Sequence, residues 1–453
     1  MSQRTLRHKE KMNLISIFDF LLLIPYLLVI YFIATQIKSK NIKKIPEYKY
    51  FLTGLTLKIA GVLCFIGVYL LYYNGGDTIN YFVGAKSIVN LFFDSPSFGF
   101  QEVFGVGMGG KYYGWYNNTT GYPPTYMWKD SNTFIICRIT SVICLLACKS
   151  FVVTSILTSC ISYFGIWKLY RLFNILYPGN SKILAYLILF LPTLVFWGGG
   201  IMKDSFVLGA TCWITYNFYY IFIVRKNKFK NTILFLINLL IIINVKAYVV
   251  SSLIPGMILW INSTYSNNIK NPVAKTLLFP FGVMLLVIFG YFLFDYLSAF
   301  MGVYGNVDTA LQQAVVIQED LLRSQQYGNN NYNLGNLEGS VSGLISIAPI
   351  AVFTALFRPL LWEIGSPTMV LSAIENTILL IFIVFIFLRT SPFRLVKILF
   401  KEPFLLYCFV FSMIFALGVG IAGTNFGAMV RYKIPLVPFF FSSLYIIYKK
   451  SKF

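Results

Sequence analysis

The chain has 453 residues, 57% hydrophobic and only 12% charged, about half the roughly 25% charged content of a soluble globular domain. With 18% aromatics and a mean hydropathy of +0.71, disorder, a collagen-like or coiled-coil fibre and an ordinary water-soluble enzyme are excluded. An all-α polytopic membrane protein remains. The 37 Lys and Arg against 16 Asp and Glu give a net +21, which points either to an anionic partner or to membrane topology, according to where the charges sit.

A helix crosses a bilayer with roughly 17–25 apolar residues. On that measure spans are predicted at 14–36, 51–73, 150–168, 183–197, 205–224, 232–245, 249–262, 276–300, 369–388, 404–420 and 434–448. The count is about eleven, within a range of roughly 10–13, because short runs can cross where the bilayer thins. The whole of 1–453 is read as one integral membrane domain. The first apolar stretch is too long for a signal peptide and lacks a small-residue cleavage site, so it is expected to stay as a helix.

Lys and Arg in short loops set orientation. Lys38, Lys40, Lys43, Lys44 and Lys49 share a side with Lys168, Arg171, Lys182, Arg225, Lys226, Lys228, Lys230, Lys270 and Lys275. Arg389, Arg394, Lys397, Lys401, Lys449, Lys450 and Lys452 join them if two apolar stretches, 132–148 and 341–357, do not cross. The first carries Arg138 in mid-run and the second carries Pro349 and runs into Arg358, so both are predicted to be interfacial or re-entrant helices on the outer face. The basic surplus then lies mainly on the cytoplasmic side. Arg4, Arg7, Lys9 and Lys11 fall outside, against the rule. Two outer loops result, 74–149 with interfacial helices and 301–368 with a re-entrant or interfacial helix. Most acidic residues fall outside too, among them Asp77, Asp94, Glu102, Asp130, Asp204 and Glu363. The surplus is therefore read as topology, with no nucleic-acid partner.

In chain order, Asp77 follows two glycines directly after a span, with Tyr81 and Ala85 on the same helical face. It reads as a helix-capping carboxylate, or as a general base or metal ligand at the membrane surface. The run from Lys111 to Trp128 mixes Trp115 and several tyrosines with Asn and Gly, which suits stacking on sugar rings and equally an interfacial aromatic belt. Gly198, Gly199 and Gly200 precede Lys203 and Asp204. Glycines let a ligand approach the backbone, and a helix starting near Asp204 offers free N–H groups to a phosphate. The plainer alternative is that Asp204 or Ser205 caps that helix. Lys246, Arg358 with Glu363, and Arg431-Tyr432-Lys433 stand at the same level, where basic residues placed against the topological bias call for an anion. The polar segment with Gln312, Gln313, Gln325, Gln326 and Asn329 to Asn331 reads as a lid or acceptor-binding loop. Seven cysteines, Cys64, Cys137, Cys144, Cys148, Cys160, Cys212 and Cys408, lie in apolar runs without metal-ligand spacing. A single His8 leaves no basis for a His metal site or a Ser-His-Asp triad.

Asp77 in the first large outer loop, with Tyr81 and Ala85, together with Arg431-Tyr432-Lys433-Ile434-Pro435 and Pro438, resembles the GT-C class of membrane glycosyltransferases. That class includes the protein O-mannosyltransferases and the lipid A aminoarabinose transferase. The motifs are short, Asp77 is followed by Thr78 where the class commonly has a second acid, and the loop follows the second span instead of the first. The resemblance implies a GT-C-like fold and inverting transfer of a sugar from a polyprenyl-phosphate-linked donor to a glycan, lipid or protein acceptor. It implies Asp77 as base or as ligand of a divalent cation, Mg or Mn, and an Arg/Lys set on the lipid phosphate. Lys203, Arg358, Arg431, Lys246, Gly199 and Gly200 are the donor-phosphate candidates, and Tyr81, Trp115, Asp204, Glu363 and Tyr432 the substrate-binding ones. The expected location is the bacterial cytoplasmic (inner) membrane, multi-pass, with the active face extracytoplasmic. An O-antigen or exopolysaccharide polymerase and a flippase for a lipid-linked glycan are the alternatives. The topology is open to a direct check: a reporter fused after Lys228 is expected on the cytoplasmic side and one fused after Asp130 on the opposite side. The reverse result overturns the charge assignment.

Overall fold

The computed structural model describes residues 14–105, 112–267, 341–423 and 425–452, with Met284, Ile288 and Tyr332 as isolated positions. The predicted span at 276–300 and the Gln/Asn-rich segment lie outside them, apart from those single positions. Every described element is a helix. Seven are long and apolar enough to cross a bilayer: α1 (Ile17–Ile42), α2 (Pro46–Tyr72), α7 (Phe151–Leu176), α10 (Lys203–Ile223), α11 (Lys228–Lys246), α14 (Pro367–Arg389) and α16 (Pro403–Ala422). An eighth span results if α17 (Phe426–Tyr432) and α18 (Val437–Ser451), bent by 68°, count as one. The chain therefore has the build of a multi-pass membrane protein. Helical geometry suits that solvent, because each backbone N–H finds its carbonyl within the same segment.

Between the long helices lie α3 (Asp77–Asp94), α4 (Pro96–Phe104), α5 (Thr125–Trp128), α6 (Ser131–Leu146), α8 (Ser181–Ile188), α9 (Pro192–Phe196), α12 (Tyr248–Asn267), α13 (Val341–Phe357) and α15 (Pro392–Lys401). The helices form two units, Met1–Trp213 with Asn244–Lys246, and Ile214–Ile243 with Ala247–Phe453.

In the first unit, α1 and α7 begin at the same end, since the Ser150 hydroxyl donates 2.5 Å to buried Asp19. Tyr26 donates to the carbonyl of Leu146, 2.6 Å away. The opposite end is marked by Glu47 and Arg171, paired at 2.7 Å, at the start of α2 and the end of α7. Helices α1 and α7 therefore run parallel. Helices α3, α4 and α6 pack on one another. The Arg138 that interrupts the apolar run of α6 is buried and joins Glu102 of α4 at 3.0 Å. A buried ion pair of this kind holds only while both partners are present.

The predicted span at 183–197 is broken. Helix α8 is eight residues long, and Phe190 packs edge-on against Tyr50 near the start of α2. Pro192 then opens the five-residue α9. A β-carbon on Gly61 would lie 2.5 Å from the Val195 side chain, and one on Gly200 2.6 Å from the Phe65 ring. The triple-glycine turn therefore runs alongside the middle of α2. The sequence reading put it at the outer surface, beyond the helix ends. Proline at 192 and glycines at 198–200 stop the helix before it can cross.

In the second unit, α16 is flanked by α12, α13 and α18. A β-carbon on Gly420 would meet the Ala351 carbonyl at 2.2 Å, so glycine brings α13 and α16 into backbone contact. Such small-residue approaches give membrane helices their van der Waals attraction. Gly165 and Gly209 do the same for α7 and α10 in the first unit, with the Gly209 carbonyl 2.2 Å from a β-carbon on Gly165. Gly165→Ala is expected to cost about 1–3 kcal/mol, read as a lowered unfolding temperature in detergent. Gly67→Ala, whose added methyl meets nothing within 4 Å, is the control and should leave it unchanged.

Candidate functional site

Three carboxylates and two ammonium groups gather in the first unit. Gly75 and Gly76 take backbone conformations at φ 149° and 115° that suit glycine, and the chain then enters α3 with Asp77 in its first turn. Asp130 caps α6, accepting from the Asn132 amide at 3.1 Å. The Thr133 hydroxyl donates to Asp130 and accepts from Lys203 Nζ at 2.7 Å. Lys203 begins α10, where the ammonium also lies in the field of Asp130, Asp204 and Asp77 and of the like charge on Lys246. Lys246, at the end of α11, meets Asp204 Oδ1 at 2.5 Å, with the Asp204 side chain only 3% exposed. The group carries one net negative charge.

Helix ends place this chemistry. The start of α3, the cap of α6, the start of α10 and the end of α11 all arrive here, and the positive end of α10 faces its own Asp204. The Asn80 side-chain amide donates to the Tyr126 hydroxyl at 2.7 Å. Burial, and then the Asp77 carboxylate, push the Tyr126 phenol up from its ordinary range, so it stays protonated near Asp77. The sequence reading singled out Asp77, Lys203, Asp204 and Lys246, and the structure brings these four together. It missed Asp130, Thr133, Asn80 and Tyr126 as members. Asp130 and Thr133 carried a legible signal, an Asp-Ser-Asn-Thr cap ahead of an apolar run.

The other candidates in this unit lie against protein neighbours. Gly199 and Gly200 abut Val62 and Phe65, so contact with α2 already requires glycine. Tyr81 is buried at 4% exposure, and the Trp115 ring stacks on Phe98 at 4.4 Å. Tyr113, Tyr116 and Trp128 likewise pack on one another. A residue that sequence reasoning missed is Lys58. It sits in the middle of α2, 2% exposed, and donates to the carbonyls of Leu194 at 2.8 Å and Gly198 at 2.7 Å. These belong to α9 and the turn after it. A lone lysine inside a long apolar run was the signal.

The second unit holds its own basic group. Arg358 follows α13 and donates through Nε to Glu363 Oε1 at 2.7 Å, while Glu363 Oε2 accepts from the Leu360 amide at 2.8 Å. The guanidinium also lies over the rings of Tyr332 and Phe426, 5.4 and 5.0 Å away. Lys433 is buried and donates to the carbonyls of Leu356 and Arg358 and to Asn376 Oδ1 at 2.9 Å. Arg431, partly exposed, lies over the Tyr432 ring at 5.9 Å. Of the Arg-Tyr-Lys run, the lysine is thus a structural tie.

Among the described residues, no three His, Cys, Asp or Glu side chains gather as a metal-ligand group. Asp77, Asp130 and Asp204 are arranged around ammonium groups instead. No family model matches the chain, nor does any curated protein or solved structure. Removing Lys246 (Lys246→Met) leaves Asp204 buried without its cation, at an expected cost of about 3–5 kcal/mol in unfolding measurements. The double variant Asp204→Asn/Lys246→Met should recover most of that loss. A single variant as stable as the parent rules out a tightly held pair.

Proposed function

We propose that this chain is a membrane glycosyltransferase, moving a sugar from a polyprenyl-phosphate-linked donor to an acceptor hydroxyl on the extracytoplasmic side. The observation that supports it is the gathering of Asp77, Asp130, Lys203, Asp204 and Lys246 at converging helix ends. In this reading Asp77 takes the acceptor proton as the acceptor oxygen bonds to the anomeric carbon. The bond from that carbon to the phosphate oxygen breaks, and its electrons leave on the phosphate. Lys203, bound to a neutral threonine hydroxyl, meets that growing negative charge. Tyr126, held protonated, is placed to donate to the acceptor or to Asp77. In the second unit Arg358 and Arg431 are assigned to anion binding, with Tyr332 and Phe426 fixing the plane of Arg358.

A polymerase joining lipid-linked repeats is the second reading. The observation favouring it is that two protein cations, Lys203 and Lys246, already lie among the three carboxylates. Activity surviving EDTA supports this reading, and loss restored by either metal supports the first. For both, Asp77→Asn is expected to lower turnover of a lipid-linked sugar by about 10²–10⁴-fold. Undiminished turnover removes Asp77 from the chemistry.

A further inference from the structure

Helix α15 (Pro392–Lys401) joins the end of α14 to the start of α16. Both long helices end at this level, which is also marked by the Thr390 and Ser451 hydroxyls at 3.1 Å and by the Lys450–Glu402 pair. A ten-residue helix is about 15 Å long. It is too short to cross a bilayer, and its position holds it at the level where the two spans leave the apolar core.

Its sequence divides into three stripes. Phe393, Val396 and Phe400 recur at i, i+3 and i+7 and are exposed, Phe393 at 87%. Arg394, Lys397 and Lys401 recur with the same spacing one residue later and are also exposed. Leu395 and Leu399 point elsewhere, with Leu399 buried against the protein. At 100° per residue the apolar and basic stripes are adjacent on the helix surface. A water-soluble surface helix has no use for three large exposed apolar side chains beside its cations. A helix in the plane of a bilayer needs both, one stripe in the acyl boundary and one among headgroups.

Charge selects the occupant. Leu388 and Phe387, exposed at the end of α14, continue the apolar band. Arg389, Lys449, Lys450 and Lys452 add positive charge at the same end of the unit, where Glu402 is a described acid. Among the described residues, no ion pair involves Arg394, Lys397 or Lys401. We propose that α15 is an interfacial anchor that binds the anionic phospholipid leaflet, its three basic side chains meeting lipid phosphates. The assignment does not depend on the glycosyltransferase reading.

The test uses the full-length protein in nanodiscs of phosphatidylcholine alone or with phosphatidylglycerol, followed by amide hydrogen exchange across 393–401. Each basic residue near an anionic surface contributes about fivefold in association (about 1 kcal/mol), so the three together give roughly a hundredfold. Exchange is expected to slow at least about tenfold when phosphatidylglycerol is present. Arg394→Gln/Lys397→Gln/Lys401→Gln should abolish that difference while α16 keeps its protection. Phe393→Ser/Phe400→Ser should weaken protection in both lipids. Equal exchange of the parent in the two discs overturns the proposal. So does protection reproduced by inorganic phosphate in phosphatidylcholine discs, or protection that appears only when two copies share a disc.

Discussion

A helix that stops inside a bilayer leaves carbonyl groups with neither water nor a next turn to accept from. The architecture of each unit depends on how those carbonyls are met. In the first unit Lys58 reaches across from α2 to Leu194 and Gly198 at the end of α9. In the second, Lys433 reaches Leu356 and Arg358 at the end of α13. A buried ammonium is costly alone. Placed against the negative end of a short helix, it and the open carbonyls satisfy one another. The loops that follow, 197–202 and 358–366, carry or lead into candidate site residues, so these lysines hold the scaffold that positions Lys203 and Arg358.

Glycine works with lysine in the same places. Gly198, Gly199 and Gly200 let the chain turn while pressed on Val62 and Phe65. A broken helix is thereby as closely packed as a continuous one. The break delivers the start of α10, with Lys203 and Asp204, to the caps of α3 and α6. Each carboxylate in the resulting group owes its position to a helix end, and the interleaved ammonium groups keep the carboxylates from repelling one another.

Long apolar runs made most of the membrane helices legible, because length alone separates a spanning helix from a core helix. Arg138 lies within a 16-residue helix and Pro349 within a 17-residue one, both shorter than the seven long apolar helices. The stretch 183–197 was misleading: its composition is that of a span, yet α8 ends at Ile188 and a separate helix, α9, opens at Pro192. Asp77, Lys203, Asp204 and Lys246 were legible as charges out of place in an apolar chain. Their partners Asp130 and Thr133 were legible as a helix cap but not as partners of Lys203, because a capping Asp looks the same whether or not a lysine reaches its neighbour. Trp115 and Tyr81 were legible only by type: Trp115 stacks on Phe98 and Tyr81 is buried within α3, and neither contact could be read from composition.

Lys58 also constrains the order in which the chain is built. A lysine near the centre of a spanning helix costs about 2.5–3.5 kcal/mol during membrane insertion. Its carbonyl partners lie 136 and 140 residues later in the chain. At roughly 5–20 residues per second of synthesis, α2 waits about 7–28 seconds before α9 emerges. Throughout that interval its other residues alone must keep it in the membrane, and the ribosome must deliver α9 before the nascent first unit can close.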